Sequence, residues 1–461
     1  MINNNNIVVG LDIGTNKVCA LVAKPGKSKG ELEILGIGIT ESEGLTRGVI
    51  SNIEKTVKTI NVAIDQAEQQ SGMKIKNVVV GIAGDHVESF QTRGIIGISS
   101  ESQEITQSDI DRLMENARNV KIPSERRILH VMAQEFIIDG QDGISDPIGM
   151  SGVRLEAEVH IITGLETAIK NIYKCVERCG LTVEDVVLEP IASSRALLSD
   201  EEMEVGVGII DIGGGTTDIA VFEDNIIRFS SIIGIAGHLV TEDVRKGLGI
   251  IAKQAERVKR EYGHSYLPSI MKDDVFMIPG IGGRKPMEVS KSELCRIIQP
   301  RMEELFEFAM VELSRSGFLD KLGAGLIITG GTCLLKGSEE LAREIFGVPV
   351  KLGIPTGISY SGLAPMVESP VYSTGVGLAL FALDKLDIDY DNLNSDEEIA
   401  EPSIIQNSVK KDISETKKNN TKANLKSSDA TKAKVDAEES NNDKNSKPSF
   451  MKKMKNFIEQ L

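Results

Sequence analysis

Apolar positions fall in two alternating rhythms over the first 390 residues. Residues 7–11, 18–22 and 78–83 are apolar at nearly every position and read as strands. The run V-V-V-G-I-A at 78–83 suits the buried centre of a parallel sheet, which is covered on both faces. Between such runs the spacing is helical. Ile53, Val57, Ile60, Ile64 and Ala67 fall on one face and predict a helix over 53–71, with Ser51 and Glu54 at capping-box spacing and Gly72 to end it. Residues 85–162 read as a separate inserted α+β module. Ser108 is placed to cap a helix carrying Ile110, Leu113, Met114 and Ala117, and Val153, Leu155, Ala157, Val159 and Ile161 alternate as a half-buried strand. A helix near 166–179 and a strand at 183–188 follow.

The second half repeats the opening. Strands at 206–211 and 219–222 flank a glycine turn, as 7–11 and 18–22 do. Aligning Asp12 with Asp211 puts Gly14 on Gly213. Two extra glycines are then allowed for, which puts Lys17 on Asp218 and Val18 on Ile219. D-I-G-T-N-K-V and D-I-G-G-G-T-T-D-I thus read as one device used twice, about 200 residues apart. Such a duplication predicts two similar α/β lobes facing each other.

Each device is a strand, a turn without side-chain bulk, and a second strand. Glycine lets backbone N–H groups approach an anion closely, and successive N–H groups form a nest for it. Thr15, Asn16, Thr216 and Thr217 add polar groups and Lys17 a positive charge, beside Gly14, Gly213, Gly214 and Gly215. Asp12 and Asp211 end their strands beside the turns. A carboxylate there would repel a bare phosphate, so it suits a hydrated Mg²⁺ or an oriented water. Phosphates clamped between two lobes account for both turns together. Two further segments fit a ligand site. Glu256 and Lys259 sit at i, i+3 on a helix predicted in 252–263, so both can address one ligand. The apolar run L-I-I-T at 326–329 ends in Gly330 and Gly331, with a helix starting near 336–340. Ligands in open α/β sheets bind at such loops.

These four segments, in this order, resemble the nucleotide-binding core shared by actin, Hsp70 chaperones and sugar kinases. V-L-E-P-I-A-S-S-R-A-L at 187–197 and P-V-Y-S-T-G-V-G-L-A-L at 370–380 look like its two interlobe connections. L-D-I-G-T-N-K-V, L-E-P-I-A-S, I-I-D-I-G-G-G-T-T-D-I and I-I-T-G-G-T are similar to patterns of the FtsA family of bacterial cell-division proteins, and the module at 85–162 fits that family's inserted subdomain. The resemblance implies a two-lobed actin-like ATPase fold with duplicated mixed sheets. It implies ATP and Mg²⁺ as cofactors, with weak ATPase activity. It also implies self-association into filaments and recruitment of FtsZ to the inner face of the cytoplasmic membrane at the division site, among other division proteins. By the same resemblance Asp12 faces the metal's water shell, and Asp211 and Glu189 orient an attacking water. Glu256 and Lys259 touch the nucleoside, and Gly330 and Gly331 form the adenosine loop. The implied domains are a first lobe (1–84 with 163–195 and 370–390), the insert at 85–162, and a second lobe at 196–369 with a nucleoside-side part at 246–300. A metabolic kinase or an Hsp70-like ATPase on the same core is the alternative. The first needs a substrate pocket with a base, and the second a β-rich peptide-binding domain after the core.

Charge and the C-terminal stretch sharpen this reading. Lys and Arg number 52 against 68 Asp and Glu, a formal charge of −16. Residues 391–461 carry 13 Lys and 13 Asp or Glu, so the first 390 residues hold the whole excess. An acidic body argues against nucleic acid as a partner. Five cysteines match no zinc spacing; Cys175 and Cys179 share a helix face but no second pair follows, so they read as packing. No signal-peptide pattern and no apolar run of roughly 20 residues is present, so a cytoplasmic chain with reduced thiols is expected. Residues 391–447 hold no aromatic side chain and read as a disordered linker. Hydrophobicity then returns. Phe450, Met454, Phe457, Ile458 and Leu461 form a helical stripe, Met451 borders it, and Lys452, Lys453 and Lys455 lie beside or opposite. This predicts an interfacial amphipathic helix at 448–461 with a basic polar face. The linker spans roughly 40 Å r.m.s., which suits a distant target such as a membrane surface.

Overall fold

Three antiparallel strands open the chain: β1 (Val8–Ile13), β2 (Lys17–Pro25) and β3 (Leu32–Glu41). They belong to a computed structural model that describes residues 7–99, 103–283 and 285–386. The linker at 391–447 and the helix expected at 448–461 lie outside the described residues. A short hairpin, β4 (Leu45–Thr46) and β5 (Val49–Ile50), leads into α1 (Ile53–Ser71), and β6 (Asn77–Ile82) then enters parallel to β1. Asn52 rather than Ser51 caps α1, its side chain accepting the Lys55 N–H. Ser51 is already used: its N–H and hydroxyl both donate to the Gly44 carbonyl and close the hairpin. Gly72 ends the helix in the left-handed region, at φ 68°.

The chain leaves this lobe for the insert, made of β7 (Glu88–Gly97), α2 (Gln107–Arg118), β8 (Arg126–Ile138), β9 (Gln141–Ile144) and β10 (Arg154–Leu165). Its sheet runs β7-β10-β8-β9, and Leu155, Ala157, Val159 and Ile161 of β10 are buried against Leu113 and Ala117 of α2. Thr106 with Asp109, not Ser108, forms the capping box of α2, which begins one residue before Ser108. The chain returns through α3 (Glu166–Arg178) and β11 (Thr182–Leu188), completing a first sheet in the order β11-β6-β1-β2-β3. Cys175 and Cys179 donate to backbone carbonyls of Ile53 and Val57 on α1, as packing residues do.

Helix α4 (Glu189–Leu197) crosses to the second lobe, with α5 (Asp200–Val205) after it. There follow β12 (Val207–Ile212), β13 (Thr217–Glu223), β14 (Ile226–Ile233), α6 (Gly237–Leu248), α7 (Ala252–Tyr262), β15 (Val275–Ile278), β16 (Met287–Ser290), α8 (Lys291–Ser316), β17 (Leu326–Thr329), α9 (Ser338–Phe346) and β18 (Val350–Leu352). The second sheet is β14-β13-β12-β17-β18. Three antiparallel strands are followed by two parallel ones, as in the first sheet, so the duplication covers whole sheets. The last described helix, α10 (Ser373–Asp384), returns to the first lobe and packs on β1 and α4. Apolar runs on both central strands follow from this layering, because helices cover both faces of each sheet. Leu294, Ile298, Met302, Leu305 and Phe306 of α8 are fully buried under β12 and β13. Each such side chain contributes about 1.5–3 kcal/mol relative to exposure.

The ladder corrects the alignment of the two turns. Asp12 pairs with Cys19 and Asp211 with Asp218, so both turns have the same length. Each is closed by the same bond, Gly14 N–H to Lys17 C=O at 2.9 Å and Gly213 N–H to Thr216 C=O at 3.0 Å. No extra glycines are inserted. Lys17 corresponds to Thr216, and Cys19 corresponds to Asp218.

Candidate functional site

The two glycine turns meet. A Cβ placed on Gly214 would lie 2.3 Å from Asn16 Cγ, and one on Gly215 would lie 2.3 Å from Thr15 Oγ1. Only residues without side chains let the loops come this close. The loop after β17 joins them: Gly330, at φ 87°, would carry a Cβ only 2.4 Å from Asp211 Oδ1, and Thr332 Oγ1 donates to the Gly213 carbonyl at 2.7 Å. Gly331 beside it is open, its nearest neighbour being Val371 Cγ2 at 3.8 Å from a Cβ. The start of α6 is bonded to the same turn, with Gly237 and His238 N–H donating to the Gly213 and Gly214 carbonyls at 3.1 and 2.8 Å. Lys259 of α7 then reaches Glu256 Oε2 at 2.8 Å, Thr241 Oγ1 at 2.9 Å and the Gly237 carbonyl at 3.3 Å. Glu256 and Lys259 are thereby tied to the start of α6 behind the Gly213 turn, and Lys259 is buried.

Acid dominates the floor of the cleft. Asp12, Asp211 and Asp218 are buried, and Glu189 starts α4 against Gly81 of β6. Lys17 Nζ donates to Asp12 Oδ2. Burial works against the Lys17 charge, but Asp12 and Glu189 outweigh it and hold its pKa above the ordinary value. Burial, with repulsion from Asp12, Asp218 and Asp211, drives Glu189 well above the usual carboxylate range. Burial and Asp211 do the same to Asp218. Asp211 is pushed up to about 6, by burial first and Asp12 second, against the hydroxyls that bond it. Among the described residues no group of three acidic, His or Cys side chains could hold a bare metal ion. Asp218 Oδ1 is buried without a hydrogen-bond partner. These donors, spaced apart and short of positive charge, fit a divalent cation that keeps its water shell, as Mg²⁺ does. Asp12 and Asp211 stand one residue before the ends of β1 and β12, beside the turns.

Three residues escaped the sequence reading. Ser193 Oγ donates to Asp211 Oδ2 at 3.0 Å and Thr374 Oγ1 approaches the same oxygen at 3.4 Å. They come from α4 and α10, one on each interlobe connection, so both crossings hold one carboxylate. The hydroxyl pairs in I-A-S-S and Y-S-T-G were the available signal. Asp218 was hidden by the gapped alignment. Of the threonines, Thr216 bonds Asp218, whereas Thr217 Oγ1 donates to the Ile235 carbonyl at 2.8 Å and Thr15 Oγ1 accepts the Gly48 N–H at 3.0 Å. The C-terminal residues Phe450 to Leu461 lie outside the described part.

Two like sheets, each with a glycine turn that meets the other's, define an actin-like fold carrying an insert. Solved structures agree. The protein described as the PilM–PilN type IV pilus biogenesis complex aligns over 82% of this chain and 98% of its own at TM-score 0.60 and 14% identity. MreB5 of Spiroplasma citri bound to ADP aligns over 86% of this chain and all of its own at TM-score 0.50 and 16% identity. Two family profiles match, "SHS2 domain inserted in FTSA" over residues 84–163 and "Cell division protein FtsA" over residues 208–377. The cell division protein FtsA of Pseudomonas aeruginosa is 45% identical over 384 residues, covering 83% of this chain and 91% of the relative. Those of Bacillus subtilis and Escherichia coli are 39% and 38% identical, over 82% and 81% of this chain and 84% and 90% of the relatives. The chain belongs to the FtsA family of cell division proteins.

Proposed function

We propose that the cleft binds Mg²⁺-ATP and that the protein uses it to assemble with copies of itself while tethering FtsZ to the inner face of the cytoplasmic membrane. The observation that carries the nucleotide reading is the contact of Gly214 and Gly215 with Asn16 and Thr15, one backbone nest from each lobe at a common point. MreB5, a fold neighbour, is described with ADP bound. Gly14 and the Gly213–Gly215 turn would hold phosphate oxygens, Lys17 would neutralise them, and Gly330, Gly331, Glu256 and Lys259 would bound the nucleoside. Asp12 and Asp211 would hold the water shell of Mg²⁺, which supplies the charge that lets the buried acids ionise. Asp211 and Glu189 would orient the attacking water. Burial and the neighbouring carboxylates raise the Glu189 pKa well above the usual range, and the charge of Mg²⁺ would bring it back down. The test is titration of the protein with a fluorescent ATP analogue at varied Mg²⁺. Binding that strengthens with Mg²⁺ and falls at least about tenfold in Asp211→Ala is expected. Mg²⁺-independent binding, unchanged in the variant, overturns the reading.

Membrane residence rests on the sequence of residues 448–461. No helix among the described residues is long and apolar enough to cross a membrane. Three lysines near an anionic leaflet contribute about 1 kcal/mol each, and partly inserted Phe450, Met451, Met454, Phe457, Ile458 and Leu461 add to that. One copy binds reversibly, and a filament displaying many binds tightly through avidity. The protein is then peripheral, held at the division site by its partners. In liposome sedimentation the full chain pellets with anionic vesicles and a truncation at 447 stays in the supernatant. Equal pelleting of the two refutes the anchor.

A further inference from the structure

The hairpin β4–β5 sits on both glycine turns at once. Arg47 at its tip is a non-glycine residue in the left-handed region, at φ 51°, between Gly44 and Gly48 at φ 90° and 76°. Gly48 N–H donates to Thr15 Oγ1 at 3.0 Å, which fastens the tip to the first-lobe turn. The direction of a Cβ on Gly48 ends 2.6 Å from the Ala83 carbonyl, so the tip is wedged against the end of β6. On the other side, a Cβ on Gly215 would stand 3.0 Å from Arg47 Cα. The Arg47 side chain then runs on to the second lobe, its Cδ 3.6 Å from where a Gly234 Cβ would be, beside Asp85. The hairpin tip therefore touches the turns of both lobes, Gly48 the first and Arg47 the second, and the Arg47 side chain reaches on to the second lobe.

Charge makes this placement informative. The cleft holds Asp12, Glu189, Asp211 and Asp218. Lys17 is engaged with Asp12, and Lys259 with Glu256. Arg47 is exposed, and the acidic group flanking it is Asp85 on the rim rather than a carboxylate of the floor. A triphosphate between the turns brings more negative charge than Lys17 and Mg²⁺ balance. The long planar guanidinium is built for bidentate contact with phosphate oxygens. We infer that Arg47 reads the terminal phosphate of the bound nucleotide, so that the β4–β5 hairpin distinguishes a nucleoside triphosphate from a diphosphate. The inference rests on the reading of the cleft as a nucleotide site.

Calorimetric titration of the full chain with ATP and with ADP, each with Mg²⁺, tests it on wild type, Arg47→Gly and Arg47→Lys. Glycine accepts positive φ without strain, so Arg47→Gly keeps the backbone of the hairpin while removing the side chain and its guanidinium. The expected result is an ATP affinity about tenfold lower in Arg47→Gly with ADP affinity changed less than about twofold, one charge-assisted contact having been lost. Arg47→Lys keeps the charge without the fork and falls between, and it decides the matter should the glycine variant fold poorly. An ATP-to-ADP affinity ratio equal to wild type in both variants overturns the role of Arg47 while leaving the nucleotide site standing. A wild type that binds neither nucleotide overturns both.

Discussion

Asp211→Asn is expected to stabilise the nucleotide-free protein at pH 7.5 while crippling its hold on Mg²⁺-ATP. The carboxyl is buried and its pKa rises from 3.8 to about 6, by burial first and then by repulsion from Asp12. A carboxyl whose folded pKa is raised binds its proton more tightly when folded. It therefore costs nothing below the unfolded value near 4, and stability falls as pH rises through the window from about 4 to 6, staying low above it. At about 1.4 kcal/mol per unit, the ionised group costs about 3 kcal/mol at neutral pH. Asn keeps the shape and removes the charge, and the Ser193 and Thr374 hydroxyls can turn to accept from it. It also relieves Glu189 and Asp218, each of which Asp211 raises. Thermal melts of both proteins from pH 4 to 8 check this, with the difference between them growing through that window and levelling above pH 6. A variant that melts at or below wild type at pH 7.5 would show that the carboxylate is already compensated. Such a stability cost is what the proposed cation site would carry before its cation arrives.

Much of this was legible because burial on both faces leaves unbroken apolar runs. The runs at 7–11 and 78–83 are central strands of a sheet with helices on each side, and α1 could be read from Ile60, Ile64 and Ala67. The paired D-I-G turns gave away the two lobes because an anion nest needs its glycines within the local sequence. Features that depend on competition between neighbours were not legible. Ser51 and Ser108 have the composition of caps, but Ser51 is consumed by Gly44 and Thr106 sits one position ahead of the α2 start. The two turns were misaligned because matching Val18 to Ile219 by similarity ignores the ladder, which counts residues between paired strands. Ser193 and Thr374 lie 181 residues apart, yet their hydroxyls stand 3.1 Å from each other and both reach Asp211. Arg47 gives no local cue at all, since its place over both turns is set by Ala83 and Gly215 from distant parts of the chain.

Two glycines of α10, two positions apart, are expected to respond to alanine with opposite sign. At Gly377 a Cβ would fall 1.8 Å from the Ala192 carbonyl oxygen and 2.3 Å from its carbon. These are backbone atoms of α4, so no rotamer change relieves the overlap and the helices must separate. Gly377→Ala should cost about 3 kcal/mol, in the range of severe overpacking. The damage reaches the site, because α4 and α10 carry Ser193 and Thr374, and parting them loosens the grip on Asp211. At Gly375 the nearest atom to a Cβ is Cys19 Sγ at 3.6 Å, an ordinary contact. Gly375→Ala adds no clash and removes the conformational freedom of a helical glycine, so it should stabilise by about 0.5–1 kcal/mol. Urea unfolding of the two variants beside wild type reads both effects. A Gly377→Ala midpoint equal to wild type would mean that the two interlobe helices are not held at glycine distance, and the coupling of both crossings to Asp211 would lose its structural basis.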